Sequence, residues 1–338
     1  MSIGPTEGGL YRLHGALGSP YSLKMRSLMR YRRIPFAWVQ DHGERTQLFA
    51  QVKAPVIPLL EFPDGRVAND STALTRELEA RHADRSVIRN DDCLAFLAFL
   101  IEDFADEWLT KAMFGYRWLF EADQRQMSEW LMFDAFPGAG RLAQQQMAAA
   151  FRERQVGRMP LVGCTAANFP LIEASTRAVL AALDTHTPDT PFLFGSRPSE
   201  AEFALYGQLS QLATDPTPAA MLRADYPMAM RWLAHVEDLS GVEGEWGPGR
   251  PVVDAILKVI GEVYLPFLVA NAAALEAGAA EVRFEAMGHE FVQPPFRYQA
   301  KCLAALRAAF AALEPDCAAD ILGRLSATDC LPYLEGRG

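Results

Sequence analysis

The chain has 338 residues, half of them hydrophobic, which is enough for a substantial core and more than the ~100–200 residues of one domain. Its formal net charge of −10 argues against a general affinity for nucleic acid or an anionic membrane, because both require concentrated positive charge. Five scattered cysteines (Cys93, Cys164, Cys302, Cys317 and Cys330), with no CxxC and no histidine at ligand spacing, point to a reducing compartment and no structural metal.

The start, "MSIGPTEGGLYRLHG", lacks the charged and apolar regions of a secretory signal, so a cytoplasmic location is expected. "LYRLHGAL" (10–17) and "PFAWVQ" (35–40) read as strands bracketing a helix in "SLKMRSLMRYRR". "VIPLLEF" (56–62), the turn "PDG" and "RVAND" (66–70) form a hairpin pattern with Asp-Gly as its turn signal, and "STALTRELEARH" (71–82) is a helix. A βαβ-ββα order within about eighty residues suits a small α/β domain with a right-handed crossover.

From residue 92 the pattern is helical. "CLAFLAFLIEDFADEWLTKA" repeats apolar residues at helical spacing, and further helices are expected near 122–133, 138–155, 168–184, 200–213 and 227–237. "GVEGEWGPGRP" (241–251) is a loop. The apolar segment 252–275 is interrupted by Asp254, Lys258, Glu262 and Pro266, and therefore reads as a buried helix, not a membrane span. "EVRFEAMGHEFVQ" (281–293) alternates around Met287-Gly288 as a hairpin, and 297–314 returns to helix.

Three backbone devices that can hold an acidic, amide-rich peptide occur in the first seventy residues: a serine before a helix, a strand edge beside a proline, and a second helix N-terminus. Ser19, in "SPYSLKMR", supplies the first, "VIPLL" with Pro58 the second, and Asp70-Ser71, in "NDSTAL", the third. Ser19, Asp70 and Ser71 are equally the residue types that cap helices. Pro58 cannot donate a ladder hydrogen bond, and its X-Pro bond is a candidate for cis.

In these motifs, and in "FLFGSRPSEAEFALYGQL" (192–209), the chain resembles the cytosolic glutathione transferase family over residues 10–240. Ser199 and Glu202 also form a capping box with Pro198 and Phe203 at staple positions, although the family usually has Asp where this chain has Glu202. The resemblance implies an α/β thioredoxin-like glutathione-binding domain (1–84), an all-helical domain (92–240) and, outside the family plan, an extension (241–338). It also implies a homodimer.

Carried over by position, the resemblance implies that glutathione pairs with the backbone of Ile57 beside Pro58, and that its γ-glutamyl end meets Asp70 and Ser71. Lys53 is the candidate for its glycine carboxylate. Ser19 is implied as the hydroxyl donor that favours thiolate over thiol, with Tyr21 and Ser22 as alternative donors. Trp108 and Tyr116, in the aromatic stretch 108–118, are the candidates for the pocket of a small hydrophobic electrophile. The stretch 11–33 holds six cations and no acid, a field able to attract an anionic peptide. With serine where redox-active relatives carry cysteine, thiol-disulfide exchange through a protein nucleophile is not expected. The competing reading is a non-catalytic binding or scaffolding protein whose extension supplies the interaction surface.

Overall fold

A computed structural model of the chain describes residues 9–249, 251–314 and 318–337. Strand β1 (Tyr11–His14), helix α1 (Pro20–Tyr31) and strand β2 (Phe36–Val39) form the expected βαβ unit, with β1 and β2 parallel. Helix α2 (His42–Leu48), which the sequence reading leaves unassigned, is capped by Asp41, whose Oδ1 accepts the Glu44 amide at 2.7 Å. Strands β3 (Leu59–Glu61) and β4 (Val67–Asn69) are the hairpin, turned at Gly65 with φ +85°, a conformation that favours a residue without Cβ. Helix α3 (Ser71–Arg81) follows, and the sheet order is β2-β1-β3-β4.

Helices α4 (Asp92–Phe104) and α5 (Thr110–Leu119) are one helical run broken by a π-turn over Ala105–Leu109. Helices α6 (Glu121–Ala135), α7 (Arg141–Arg158), α8 (Phe169–His186) and α9 (Glu200–Leu212) match the expected helices to within a few residues. Before α11 (Pro227–Val236) lies a helix the sequence reading missed, α10 (Pro216–Asp225), which begins at a proline. All of α9 is buried. Its capping box is formed as expected: Glu202 accepts the Ser199 amide at 2.7 Å and also the Leu193 amide at 2.5 Å. Helix α1 packs against α9, and Gly207 makes that approach possible, since a Cβ there would lie 2.7 Å from the Pro20 carbonyl oxygen.

The extension contains α12 (Val252–Val259), a second π-turn (Ile260–Tyr264), α13 (Leu265–Glu276), the hairpin β5 (Val282–Ala286) and β6 (His289–Gln293), α14 (Arg297–Ala311), α15 (Ala318–Ala327) and α16 (Leu331–Leu334). Met287 and Gly288 both have positive φ, 50° and 74°, as a tight two-residue hairpin turn requires. The extension is not a separate body. It packs on α4 and α8, and Trp108 meets Phe267 and Phe291 with ring centroids 5.3 Å apart in each case. Tyr264 donates to Asp103 at 2.6 Å.

No described helix is long and apolar enough to cross a membrane. Cys164, Cys302 and Cys330 are free and buried, whereas Cys93 is disulfide-bonded, which a uniformly reducing reading of the cysteines does not anticipate. Cys317 lies outside the described residues.

Candidate active site

Ser19 is the N-cap of α1, with extended backbone and an Oγ that accepts the Ser22 amide at 3.3 Å. This geometry makes the cap and the donor roles compatible. The cap uses a lone pair of the oxygen, and the O–H remains for a second partner. Pro20 at the first helical position has no N–H to satisfy. The helix N-terminus adds a partial positive charge beside the hydroxyl.

Ser19 and Ile57 line the same cavity, of about 670 Å³, together with Met113, Phe114 and Trp118 from α5 and Phe151 from α7. The Ile57-Pro58 bond is cis. Among the described residues Ile57 forms no backbone hydrogen bond, so its amide and carbonyl are available to an extended ligand. The cavity therefore places a hydroxyl donor, a helix N-terminus and an unpaired strand-edge backbone around one apolar space.

Arg117 fixes the loop that carries Ser19. Its guanidinium donates to both carboxylate oxygens of Asp215, at 2.8 and 2.9 Å, to Gln211 Oε1 at 2.7 Å and to the Gly18 carbonyl at 2.9 Å. Arg45, also lining the cavity, is 7% exposed and donates to the Gly15 carbonyl at 2.8 Å. It has no carboxylate partner among the described residues. Burial lowers its pKa from the usual arginine value, with Asp41 opposing.

On α3, Asp70 is the N-cap and accepts the Ala73 amide at 3.3 Å. Ser71 is buried, and its hydroxyl donates to Asp106 Oδ2 at 3.4 Å. Its amide, at the first helical position, has no described backbone partner, as helix starts leave it. Beneath lies a buried cluster: Lys24 donates to Glu102 at 2.5 Å and Asp106 at 2.6 Å, and Thr72 donates to Glu102 at 2.6 Å. Burial lowers the Lys24 pKa, but the two carboxylates outweigh it and leave the ammonium held above its usual value. Burial pushes Asp106 up to about 6 against the pull of Lys24.

Residues 13–86 match the family model of the glutathione S-transferase N-terminal domain, and residues 147–235 match that of the C-terminal domain. The chain thus carries matches to both glutathione S-transferase domains. Among solved structures it is similar to a glutathione S-transferase from Rhodospirillum rubrum F11, at 17% identity over 73% of this chain and 92% of that one, with a TM-score of 0.45. It is also similar to a glutathione transferase from Phanerochaete chrysosporium, at 15% identity over 68% and 97%, TM-score 0.48. A third is a glutathione S-transferase from Methylobacterium radiotolerans in complex with glutathione sulfonate, at 18% identity over 73% and 94%, TM-score 0.38. The search of curated proteins finds no match. At these identities and scores the structural likenesses carry no argument, and the assignment is that of the two domain matches.

Several residues singled out as glutathione transferase positions lie elsewhere. Tyr21 points away from the cavity, donating to the Asp106 carbonyl at 2.8 Å, and Ser22 is fully buried, with no hydrogen-bond partner for its hydroxyl among the described residues. Lys53 is exposed and lines none of the described cavities. Trp108 is completely buried, donating to Ser175 Oγ at 2.9 Å, and Tyr116 donates to Glu173 at 3.0 Å within the core. Both are core residues and not pocket residues. The pocket takes positions 113, 114, 117 and 118, the opposite stripe of the same helix.

The expected positive field of 11–33 is also cancelled. Arg12, Lys24, Arg26, Arg30, Arg32 and Arg33 all pair with carboxylates supplied by distant parts of the chain. His14, assigned no role, sits 3.1 Å from Glu61. Among the described residues His14, Glu44 and Glu61 bring ligand atoms within 4.8 Å of one another, but Arg12 donates to both carboxylates and takes the place a cation would fill.

Proposed function

We propose that this chain is a glutathione S-transferase family enzyme that binds glutathione across Ile57 and the start of α3, lowers the pKa of its thiol, and transfers the thiolate to a small hydrophobic electrophile. The single observation that carries the reading is the shared cavity. Ser19 offers its O–H at the start of α1, and Ile57 offers an unpaired backbone, into one space walled by Phe114 and Trp118. A hydroxyl donor and a helix N-terminus both favour the charged form of a bound thiol, whose unperturbed pKa is ~8.5.

Arg45 replaces Lys53 as the residue proposed for the glycine carboxylate, because of the two cavity arginines without a carboxylate partner among the described residues, Arg45 and Arg154, it is the buried one. The Ser71 amide and the Asp70 carboxylate are proposed for the γ-glutamyl carboxylate and ammonium. The extension packs inward on α4 and α8, which supports a part of the enzyme body over an exposed scaffold surface. A cytoplasmic location and the homodimer that the resemblance implies belong to the same proposal, and sedimentation of the full chain tests the latter.

The experiment is a glutathione titration followed by thiolate absorbance in the ultraviolet, for the unmodified chain and Ser19→Ala. The expected result is a thiolate at neutral pH that the variant loses while glutathione still binds. Absence of glutathione binding to the unmodified chain sinks the reading, and a panel of electrophiles then identifies the acceptor.

A further inference from the structure

A second cavity, of about 440 Å³, lies on the other side of Phe114, at a seam between all three parts of the chain. Val56 and Tyr21 come from the first domain, Glu107 and Lys111 from the π-turn and α5, and Phe296 and Tyr298 from the N-cap and first turn of α14. The cavity exists only because the extension closes it. Phe114 lines both cavities, and Val56 is the neighbour of Ile57 in the first.

The two ionic side chains in this cavity are treated differently. Lys111 donates to the Val162 carbonyl at 3.0 Å and to Gln293 Oε1 at 2.7 Å, with its ammonium 5.0 Å from the Phe267 ring centroid. Glu107, one turn earlier, makes no hydrogen bond or ion pair with any described residue. The π-turn sets it there: the wider turn over Ala105–Leu109 sends Asp106 to Lys24 and Ser71, Trp108 into the aromatic cluster and Glu107 into the cavity.

The surroundings are acidic. Burial, then Asp103 and Asp106, push the Glu107 carboxyl up to about 8, with Lys111 opposing. Tyr298 is raised by burial and then by Asp70, with Glu107 and Asp103 contributing. Lys24, the other nearby cation, is already shared between two carboxylates. Burial also lowers the Lys111 ammonium to about 8, so above that pH Glu107 is a carboxylate with no hydrogen-bond partner among the described residues, and its aromatic-walled space suits a cation that carries its own apolar body.

We propose that this second cavity binds an organic ammonium ion, with its charged head against Glu107 and its apolar or aromatic body among Phe114, Phe296 and Val56. The ammonium supplies the charge-assisted hydrogen bond that Glu107 lacks, and the rings of Tyr21, Phe296 and Tyr298 supply cation-π faces. This site does not depend on the glutathione reading.

Calorimetric titration of the full chain with 2-phenylethylammonium tests it, above the pH at which Glu107 ionises, with 2-phenylethanol as the uncharged comparison. The ammonium is expected to bind about tenfold more tightly than the alcohol, and Glu107→Gln to erase that difference. Phe296→Ala, a change at the cavity mouth, is expected to weaken both ligands several-fold with unchanged circular dichroism. Saturating glutathione is expected to leave the ammonium bound. Equal affinity for the alcohol, no binding of the ammonium, or full affinity in Glu107→Gln each overturns cation recognition. Competitive displacement by glutathione overturns the separate site and makes the cavity one end of the glutathione site.

Discussion

Arg117 and Asp215 form a two-bond fork at 2.8 and 2.9 Å, both nearly inaccessible to solvent, and the same guanidinium holds the Gly18 carbonyl one residue before Ser19. The ion pair is thus the tether between the helical domain and the loop that presents the proposed donor. Burial raises the Asp215 pKa, with Arg117 pulling it back. Asp215→Ala leaves a buried guanidinium unpaired and is expected to cost about 3–5 kcal/mol in urea unfolding. Arg117→Lys keeps the charge but loses the fork. At equal glutathione saturation, it is expected to raise the bound thiol's pKa, because Gly18 and Ser19 lose their anchor. An unchanged thiol pKa in Arg117→Lys counts against the tether.

Ser19 serves two proposed roles that one substitution separates. Asp is as good an N-cap as Ser, but an ionised carboxylate has no hydrogen to donate and repels a thiolate. Ser19→Asp is therefore expected to match the parent in thermal stability while losing the neutral-pH thiolate absorbance. Ser19→Ala is expected to lose both, with about 1 kcal/mol of stability going with the cap. Retention of the thiolate in Ser19→Asp would show that the helix N-terminus alone is sufficient.

The glycine end of glutathione distinguishes Arg45 from Lys53. Arg45→Met is expected to weaken glutathione binding about tenfold or more, a loss in the range of one charge-assisted hydrogen bond. Lys53→Ala is expected to leave it within twofold. Direct titration with glutathione, and with an analogue amidated at the glycine carboxyl, reads this out. The amidated analogue should bind the parent and Arg45→Met equally. Since Arg45 also holds the Gly15 carbonyl, Arg45→Lys is the control that retains charge.

Stability should fall as pH rises from about 4 to about 7. Burial, adding to the nearby Glu102 and exceeding the hydrogen bond from Tyr264, pushes Asp103 up to about 7, against ~3.9 for an unfolded chain. Between those values the folded state holds a proton that the unfolded state has lost. The contribution is therefore complete below about 4 and gone above about 7, with a slope of at most about 1.4 kcal/mol per pH unit. Asp103→Asn keeps an acceptor for Tyr264 and should flatten that slope, raising the melting temperature most at pH values above the window.

Most local elements between residues 11 and 314, though not α2 or α10, are legible in the sequence because their signals are local. Period-two and period-3.6 patterns, Asp64-Gly65 and Met287-Gly288 as turn residues, and the Ser199–Glu202 box are each written within a few positions. So are the caps at Ser19 and Asp70 and the candidate cis bond at Ile57-Pro58, since capping and backbone geometry are carried by residue type and order. Helix α10 escaped because its interior, "PTPAAMLRAD", opens with two prolines. The π-turn escaped because a single added residue leaves the apolar count of the segment unchanged.

What the sequence could not determine is which stripe of a helix faces which neighbour once a third body packs on it. "DEWLTKAMFGYRW" reads as one aromatic stretch, yet the extension's Phe267 and Phe291 claim Trp108 and helix α8 claims Tyr116, leaving Phe114 and Trp118 to the cavity. The same long-range pairing neutralises the cations of 11–33, through carboxylates up to about two hundred residues away in the chain. Among the described residues it also leaves Arg45 and Glu107 without oppositely charged partners in hydrogen-bonding contact. Residue type and spacing determine what a segment can do. Only tertiary packing, which sets burial and the distance between charges, decides which of those capacities remains available to a ligand.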